Sequence, residues 1–166
     1  MDPVSGDPYL GDVVLVGRPV TIGTITCDVS TIEGTMDGGA LTGTLDFAWT
    51  QCTTSGGTVN CTVNDINGVS VAFDESPPAP DFIIENTSRI QTFISCGLVF
   101  NCTVSSDPAN GSELEGYVVG GPDPIVIFDD TMVVSGAGCP SQGPVAAEYE
   151  ITVPEDGTRI QQLAGA

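Results

Sequence analysis

The stretch Leu41-Thr-Gly-Thr-Leu-Asp-Phe-Ala-Trp49 alternates apolar and polar side chains with a period of two residues. In an extended chain, Leu45, Phe47 and Trp49 point to one side, whereas the threonines and the aspartate point to the other. This pattern is typical of a strand that buries one face and leaves the other in water. It predicts an antiparallel β-strand, and no segment of the chain shows the stripe of a helix.

The same alternation recurs near the other end of the chain, in Val145-Ala-Ala-Glu-Tyr-Glu-Ile-Thr-Val153. Tyr149, Ile151 and Val153 share one face of this segment, and its two glutamates share the other. Turn residues separate further short candidates, a spacing typical of a sandwich or barrel. We therefore predict an all-β fold, an antiparallel β-sandwich or barrel-like sandwich of about ten short strands. The additional strands are predicted at 13–16, 20–27, 58–63, 69–73, 82–85, 89–96, 98–104, 114–119, 125–128 and 131–135.

The length of 166 residues is enough to build one core, which would bury roughly 70% of the unfolded surface. The proline-rich stretch 74–81 cannot lie inside a sheet. We interpret it as a long crossover loop within one domain, because neither half of the chain has enough apolar residues to be stable alone. The prediction is a single β domain over residues 1–166 with short flexible termini.

Six cysteines, together with the absence of histidine and lysine, indicate a disulfide framework. No C-x-x-C motif is present, which argues against a zinc ribbon or a thioredoxin-like redox site. Closing the shortest loops gives three predicted bridges, although sequence alone leaves the connectivity open: Cys52–Cys61, Cys96–Cys102 and Cys27–Cys139. In this arrangement Cys52 is out of phase with Trp49, so a bulge or an early strand end is required between them.

The net charge of −19 comes from 22 acidic residues and only three arginines. Such a surface repels nucleic acids and anionic lipids, because binding their phosphates requires cations. No apolar run approaches the length of a membrane span. We predict no nucleic-acid partner and no membrane insertion, and we interpret the acidic surface as solubilising charge.

Paired carboxylates are the remaining catalytic option, since histidine, the usual general base, is absent. Glu113 and Glu115, like Glu148 and Glu150, would lie on one face of a strand about 7 Å apart, which overlaps the spacing used in glycoside hydrolysis. Sugar sites normally need aromatic platforms, however, and the chain has one tryptophan and three tyrosines. We predict no enzyme and no catalytic residues, with a carboxylate-dependent hydrolase as an alternative.

Acidic residues near loops offer oxygen ligands of the kind that calcium prefers. None of these clusters has the EF-hand spacing, so we predict no cofactor and keep a calcium-dependent adhesion or carbohydrate-binding module as an alternative. The clusters are Asp2/Asp7/Asp12, Asp74/Glu75/Asp81 and Asp123/Asp129/Asp130. Four N-x-Ser/Thr triplets, which Thr-rich composition produces by chance, carry no conclusion: Asn60, Asn86, Asn101 and Asn110.

Two short apolar runs, 11–16 and 125–128, allow two interpretations. Each is either a buried central strand or an edge strand that pairs with a neighbouring subunit. The second interpretation would make the chain a subunit of a surface filament or a phage decoration protein.

The segment Val134-Ser-Gly-Ala-Gly-Cys-Pro140, followed by Ala146-Ala-Glu-Tyr-Glu-Ile-Thr152, resembles exported actinobacterial Thr/Gly-rich β-proteins of unassigned function. The early Cys27 and the strand from Leu41 to Cys52 fit the same pattern. The resemblance implies export and a disulfide-tied β-domain, and it transfers no catalytic residues.

From these observations we predict a secreted, non-catalytic structural or binding β-domain, at a cell surface or in an extracellular assembly. Self-association through edge strands is a possible mode of assembly under this prediction. The partner, the oligomeric state and any ligand are left open by the sequence.

Overall fold

The computed structural model describes residues 9–37, 40–54, 57, 59–70, 72–74, 81–84, 91–98, 100–106, 114–119, 125–139, 142–155 and 157–159. Within these residues all secondary structure is β, and the strands belong to one antiparallel sheet that closes into a barrel. The prediction of an all-β, barrel-like and disulfide-bonded fold is therefore confirmed.

Within the described residues, thirteen strands make up the sheet. They are β1 (Leu10–Gly17), β2 (Val20–Ile22), β3 (Ile25–Asp37), β4 (Ala40–Thr54), β5 (Asn60–Val63), β6 (Ile66–Ser70), β7 (Ala72–Asp74), β8 (Asp81–Ile84), β9 (Gln91–Cys96), β10 (Phe100–Ser105), β11 (Leu114–Val119), β12 (Ile125–Ser135) and β13 (Gln142–Thr152).

The barrel closes because β1 and β2 together lie between β3 and β13. Both strands keep one register along β3, with Gly17 opposite Ser30 and Val20 opposite Cys27. On their other side both pair with β13. The cis peptide bond between Arg18 and Pro19 joins the two strands. Five long segments, β1–β2, β3, β4, β12 and β13, therefore run along the barrel and determine its length.

Between β4 and β12 the wall is built from two sets of shorter strands. At one end of the barrel β5, β9 and β10 fill the gap, and at the other end β6–β7, β8 and β11 fill it. β4 pairs with β5 through Cys52 and with β6 through Leu45, and β12 divides its pairing between β10 and β11 in the same way. The connections β2–β3, β4–β5, β9–β10 and β12–β13 all lie at the first end.

Side chains fill the barrel interior, as the alternation along β4 and β13 predicts. Leu45, Phe47 and Tyr149 are buried, and Trp49 is partly buried against them. The interior retains an apolar void of about 40 Å³. This volume is far below the roughly 300 Å³ of the smallest typical small-molecule sites, so the void is a small packing defect in the core and not a ligand site.

Several predicted strand limits were wrong. β3 continues to Asp37, well past the predicted end at Cys27, and the predicted strands 125–128 and 131–135 are one continuous strand, β12. Gly23, with φ of 60°, turns the chain between β2 and β3, so the predicted strand 20–27 is a hairpin. The lengths of β3 and β12 were missed because polar residues interrupt the apolar alternation along both strands.

The Asn67-Gly68 pair, which lies between the predicted strands 58–63 and 69–73, is inside β6. Gly68 has φ of 70°, and its backbone N–H donates to Asp46 Oδ1 at 2.7 Å across the register shift between β4 and β6. A glycine that tolerates positive φ here produces a β-bulge rather than a hairpin.

The proline-rich stretch 74–81 joins neighbouring strands. Asp74 and Asp81 are cross-strand partners in the antiparallel pair β7–β8, so the interpretation of this stretch as a crossover was wrong. Residues 75–80 lie outside the described part of the chain.

All six cysteines form disulfides, but the predicted pairing was wrong in all three cases. The bridges are Cys27–Cys52, Cys61–Cys96 and Cys102–Cys139. The first two lie in one row across four adjacent strands, because Cys52 is the register partner of both Cys27 on β3 and Cys61 on β5. The β5–β9 register then places Cys96 next to Cys61.

The physical reason for the correction is that locality in sequence does not measure distance across the sheet. Cys96 faces Phe100 on the next strand rather than Cys102, which faces Ile94. Cys102 instead reaches Cys139 beyond the end of β12. Gly136 in this turn has φ of 135°, and a Cβ at this position would clash with the Asn101 carbonyl oxygen and lie 3.0 Å from Cys139 Sγ. Any side chain at position 136 would therefore displace this bridge.

The expected irregularity between Trp49 and Cys52 is present. Gln51 has φ of 53°, in the left-handed region that L-residues rarely adopt. Trp49 and Cys52 both face inward although they are three positions apart. On the partner strand β3, Ser30 and Cys27 lie opposite Trp49 and Cys52, and both are buried although they too are three positions apart. The cysteine row is thus one layer of the barrel core.

Candidate functional site

The two glutamates of β13 lie on the outer face of the barrel, as their spacing predicts. Glu148 and Glu150 are exposed, and Tyr149 between them points inward. Glu150 lies between Ile125 on β12 and Val16 on β1 in the registers of its two neighbours. The pair therefore shares a solvated strand face.

Arg159 holds Glu150 in a two-point ion pair. Its Nε donates to Glu150 Oε2 at 3.1 Å, and its Nη2 contacts Oε1. The segment that carries Arg159 folds back on β13, because the backbone N–H of Val153 donates to the Thr158 carbonyl oxygen at 2.8 Å. A surface ion pair with this exposure contributes at most about 1 kcal/mol. In the structure, the ion pair holds the segment after β13 against that strand.

An open groove of about 320 Å³ lies beside this ion pair. Its lining combines the cation of Arg18 with the carboxylates of Glu148 and Glu150, above the apolar Val16 and Ile125. Charges of both signs side by side in solvent neutralise each other over short distances. Chemically, this arrangement suits weak, nonspecific contact with polar solutes. The absence of catalytic residues stays a prediction, with hydrolysis by the glutamate pair as its alternative.

Of the predicted calcium clusters, the described residues include the side chains of Asp12, Asp129 and Asp130, and the calcium alternative stays a prediction. No three potential metal-ligating side chains lie close to one another there. Asp12 Oδ1 accepts a hydrogen bond from Thr35 Oγ1 at 3.3 Å, and Asp130 Oδ1 accepts from the Thr131 backbone at 2.7 Å. Asp129 is exposed. The side chains of the remaining members lie outside the described part of the chain, as do those of Glu113 and Glu115; these members are Asp2, Asp7, Asp74, Glu75, Asp81 and Asp123.

A buried polar pair, Tyr149 and Ser30, was missed by the sequence analysis. The two hydroxyl oxygens are 2.8 Å apart inside the barrel. Gly17, the register partner of Tyr149, leaves room for the ring, since a Cβ at position 17 would come within 2.9 Å of it. Burial raises the pKa of Tyr149 to about 12, and the hydrogen bond with Ser30 opposes the rise.

This pair gives a prediction for stability at high pH. An unfolded tyrosine titrates near pH 10 and the folded one near pH 12, so the folded state keeps the proton longer. Below about pH 10, Tyr149 therefore adds no pH dependence to the free energy of unfolding. Between about pH 10 and pH 12 the free energy of unfolding falls by up to about 3 kcal/mol, because the unfolded state loses the proton first. Urea unfolding at pH 8 and pH 11 measures this slope, and Tyr149→Phe is expected to make it smaller.

At pH 8, Tyr149→Phe is expected to cost about 1–3 kcal/mol, because it leaves the Ser30 hydroxyl buried without its partner. The matched control is the double substitution Tyr149→Phe with Ser30→Ala, which removes both polar groups and recovers part of the loss. Equal unfolding free energies for wild type and Tyr149→Phe at both pH values would contradict the assignment.

The charged residues of the chain are distributed unevenly along the barrel, and one end of the described structure has none. Four sequence segments of nine or more residues contain no Asp, Glu, Arg or Lys, namely 19–27, 47–64, 91–106 and 131–147. The topology gathers these four segments at the end of the barrel that carries the four turns and the three disulfides. We call this part of the molecule the charge-free end.

Among its described residues, the outer surface of the charge-free end is polar and uncharged, with two exposed large apolar side chains. Leu98, in the β9–β10 turn, is fully exposed, and Phe93 on the outer face of β9 is 56% exposed. Around Phe93 lie Ser95 and Asn101, whose side chains are joined by a 2.7 Å hydrogen bond. No local sequence pattern predicts this surface, because its four segments are far apart in the chain.

The two described triplet asparagines also lie on this surface. Asn60 on β5 and Asn101 on β10 are both exposed and flank β9 on opposite sides. Asn86 and Asn110 lie outside the described residues. Exposure alone does not distinguish a glycan acceptor from an ordinary polar residue.

Most residues of the two apolar runs lie inside the sheet. β1, which contains 11–16, pairs with β3 and β13, and 125–128 of β12 pair with β11 and β13. Residues 14–16 and 125–128 have a paired strand on both sides, whereas in the described part of the chain residues 11–13 pair with β3 alone. Assembly by strand exchange with a neighbouring subunit stays a prediction.

Within the described residues there is no helix of the length and apolarity needed to cross a membrane. Comparison of the chain with protein-family models, with curated proteins and with solved structures found no match.

Proposed function

We propose that this chain is a non-catalytic structural or binding domain that works outside the cytosol. The observation that carries the proposal is the complete pairing of its cysteines: three bridges form, and the described chain contains no free cysteine. Three disulfides in a domain of this size are typical of extracellular proteins, since cytosolic thiols are kept reduced.

The structure supports a mechanical role for these bridges. Cys27–Cys52 and Cys61–Cys96 join β3 to β4 and β5 to β9, and the third bridge ties the turn after β12 to β10. Together they cross-link the charge-free end of the barrel. The resemblance to exported actinobacterial β-proteins agrees with this role and stays a prediction.

The proposal predicts that protein taken from its natural source contains no free thiol. Cells or culture fluid are treated with an alkylating agent at harvest, and the denatured chain is then weighed by mass spectrometry. We expect no alkyl group before reduction and six after it, one for each cysteine.

The control is a parallel sample reduced before alkylation, which shows that all cysteines can react. Six alkyl groups on the unreduced protein would place the native chain in a reducing compartment and overturn the proposal.

A further inference from the structure

We infer that the cysteine row is a thiol relay, in which reduction of one bridge is passed on to its neighbour. The row consists of Cys27, Cys52, Cys61 and Cys96, on the adjacent strands β3, β4, β5 and β9. The inference goes beyond the proposed function, because it assigns a reaction to two bridges that otherwise only stabilise the barrel. It makes them a redox-sensitive switch with a single point of entry.

The two bridges of the row differ in their exposure to water. Cys27 and Cys52 are 0% and 3% exposed, so a dissolved thiol does not reach either sulfur atom while the barrel is folded. In the second bridge Cys96 is also 0% exposed, but Cys61 is only partly buried. Because thiol–disulfide exchange requires access to a sulfur atom, a reductant enters the row at Cys61.

The first reaction reduces Cys61–Cys96 with two electrons from a dithiol. One thiolate of the dithiol attacks Cys61 Sγ, the bond to Cys96 breaks, and Cys96 leaves as a thiolate that takes up a proton. The second thiol of the reductant then attacks the reductant's own sulfur in the mixed disulfide. This step closes the oxidised dithiol and releases Cys61 as a thiolate.

The second reaction needs no further electrons, because it only moves a disulfide along the row. Cys52 is the register partner of Cys27 on one side and of Cys61 on the other. Cross-strand partners hold their Cβ atoms about 4.5–5.5 Å apart, so the Cys61 thiolate approaches Cys52 Sγ from the side opposite the Cys27 sulfur. A Cys52–Cys61 bond forms, the Cys27–Cys52 bond breaks, and Cys27 leaves as a thiolate and is protonated.

After this exchange the remaining bridge contains the accessible sulfur atom. Cys52–Cys61 includes the partly exposed Cys61, so the same reductant opens this bridge in turn. Cys96 cannot take the place of Cys61 in the exchange, because β5 lies between Cys96 and Cys52. Two strand spacings separate these residues by about 10 Å. Without the relay, the buried Cys27–Cys52 bridge would be reduced only when the barrel unfolds.

The test removes one partner of the Cys61–Cys96 bridge at a time and needs no reductant. Cys96→Ala leaves a free thiol at Cys61, next to Cys52, whereas the matched control Cys61→Ala leaves one at Cys96, two strands away. Each oxidised, dilute variant is incubated at about pH 8.5, where half of an ordinary thiol is ionised. It is then quenched with acid, denatured and labelled with a maleimide, and tandem mass spectrometry locates the label.

In Cys96→Ala we expect the label on Cys27 as well as on Cys61, because the two thiols exchange through Cys52. In Cys61→Ala we expect the label on Cys96, with at least about tenfold less on Cys27 than in the first variant. Label confined to Cys61 in Cys96→Ala overturns the inference. Equal labelling of Cys27 in the two variants also overturns it, since exchange then does not depend on the order of the row.

A second measurement decides the case in which the far-ultraviolet spectrum shows that a variant does not fold. Oxidised wild-type protein is treated with a limiting amount of dithiothreitol, quenched and labelled in the same way. We expect a partly reduced species that carries label on Cys27 and Cys96 while Cys52 and Cys61 stay bridged. If Cys27 gains label only together with Cys52, the buried bridge opens as a unit and the relay is overturned.

Discussion

Reduction of the three disulfides is expected to unfold this barrel at room temperature. The bridges close loops with sequence separations of 25, 35 and 37 residues, and in the chain-entropy model each loop of this size contributes about 3–4 kcal/mol. Their sum, on the order of 10 kcal/mol, matches the whole stability of a typical domain, about 5–15 kcal/mol. Urea unfolding followed by circular dichroism, with and without a phosphine reductant, measures the loss.

A graded control separates loss of crosslinks from general effects of the reductant. The variant with Cys102→Ala and Cys139→Ala lacks only the bridge between β10 and the turn after β12. It is expected to lose about one third of the total effect and to remain folded without reductant. If the unfolding midpoint were the same in oxidised and reduced protein, the barrel would not depend on its bridges.

The second large effect concerns the row of four cysteines on β3, β4, β5 and β9. Removal of the outer two, by Cys27→Ala with Cys96→Ala, is expected to produce a new Cys52–Cys61 bridge. These two residues are direct register partners on β4 and β5, and adjacent strands lie about 4.8 Å apart, within the separation that a disulfide spans. Thiol titration of the denatured, oxidised variant is expected to find no free thiol.

The matched control removes the same number of cysteines but leaves two that are not neighbours. Cys27→Ala with Cys61→Ala leaves Cys52 and Cys96 with β5 between them, a distance of about 10 Å across two strand spacings. This exceeds the roughly 7 Å limit for a bridge, so two free thiols are expected. Two thiols in both variants, or none in both, would show that the four cysteines do not form one row.

The row also explains why the wild-type chain does not use the bridge that the shortest loop favours. If Cys52 paired with Cys61, Cys27 and Cys96 would be left three strands apart, about 14 Å from each other, and both would stay unpaired. When each outer cysteine pairs with its inner neighbour, as in Cys27–Cys52 and Cys61–Cys96, all four sulfur atoms are used, and no other pairing of neighbours achieves this. Sequence separation contains no information on this constraint.

The position of the glutamate pair on β13 could be predicted from the sequence, but its surroundings could not. Alternation along 145–153 is a local property, so it places Glu148 and Glu150 outside and Tyr149 inside. Arg159 reaches Glu150 because the chain after β13 folds back, and Ser30 meets Tyr149 because β3 and β13 both line the barrel interior. Both contacts depend on residues that are distant in sequence.

By itself, the sequence determined that the chain forms strands, that the strands bury one face, and that its cysteines form bridges. Each of these follows from the order of neighbouring side chains or from residue counts, and both are set before folding. The tertiary structure alone decided which cysteines pair and which end of the barrel is free of charge. Both depend on strand register and topology, which bring four separated segments to one end, and no local pattern in the chain encodes that arrangement.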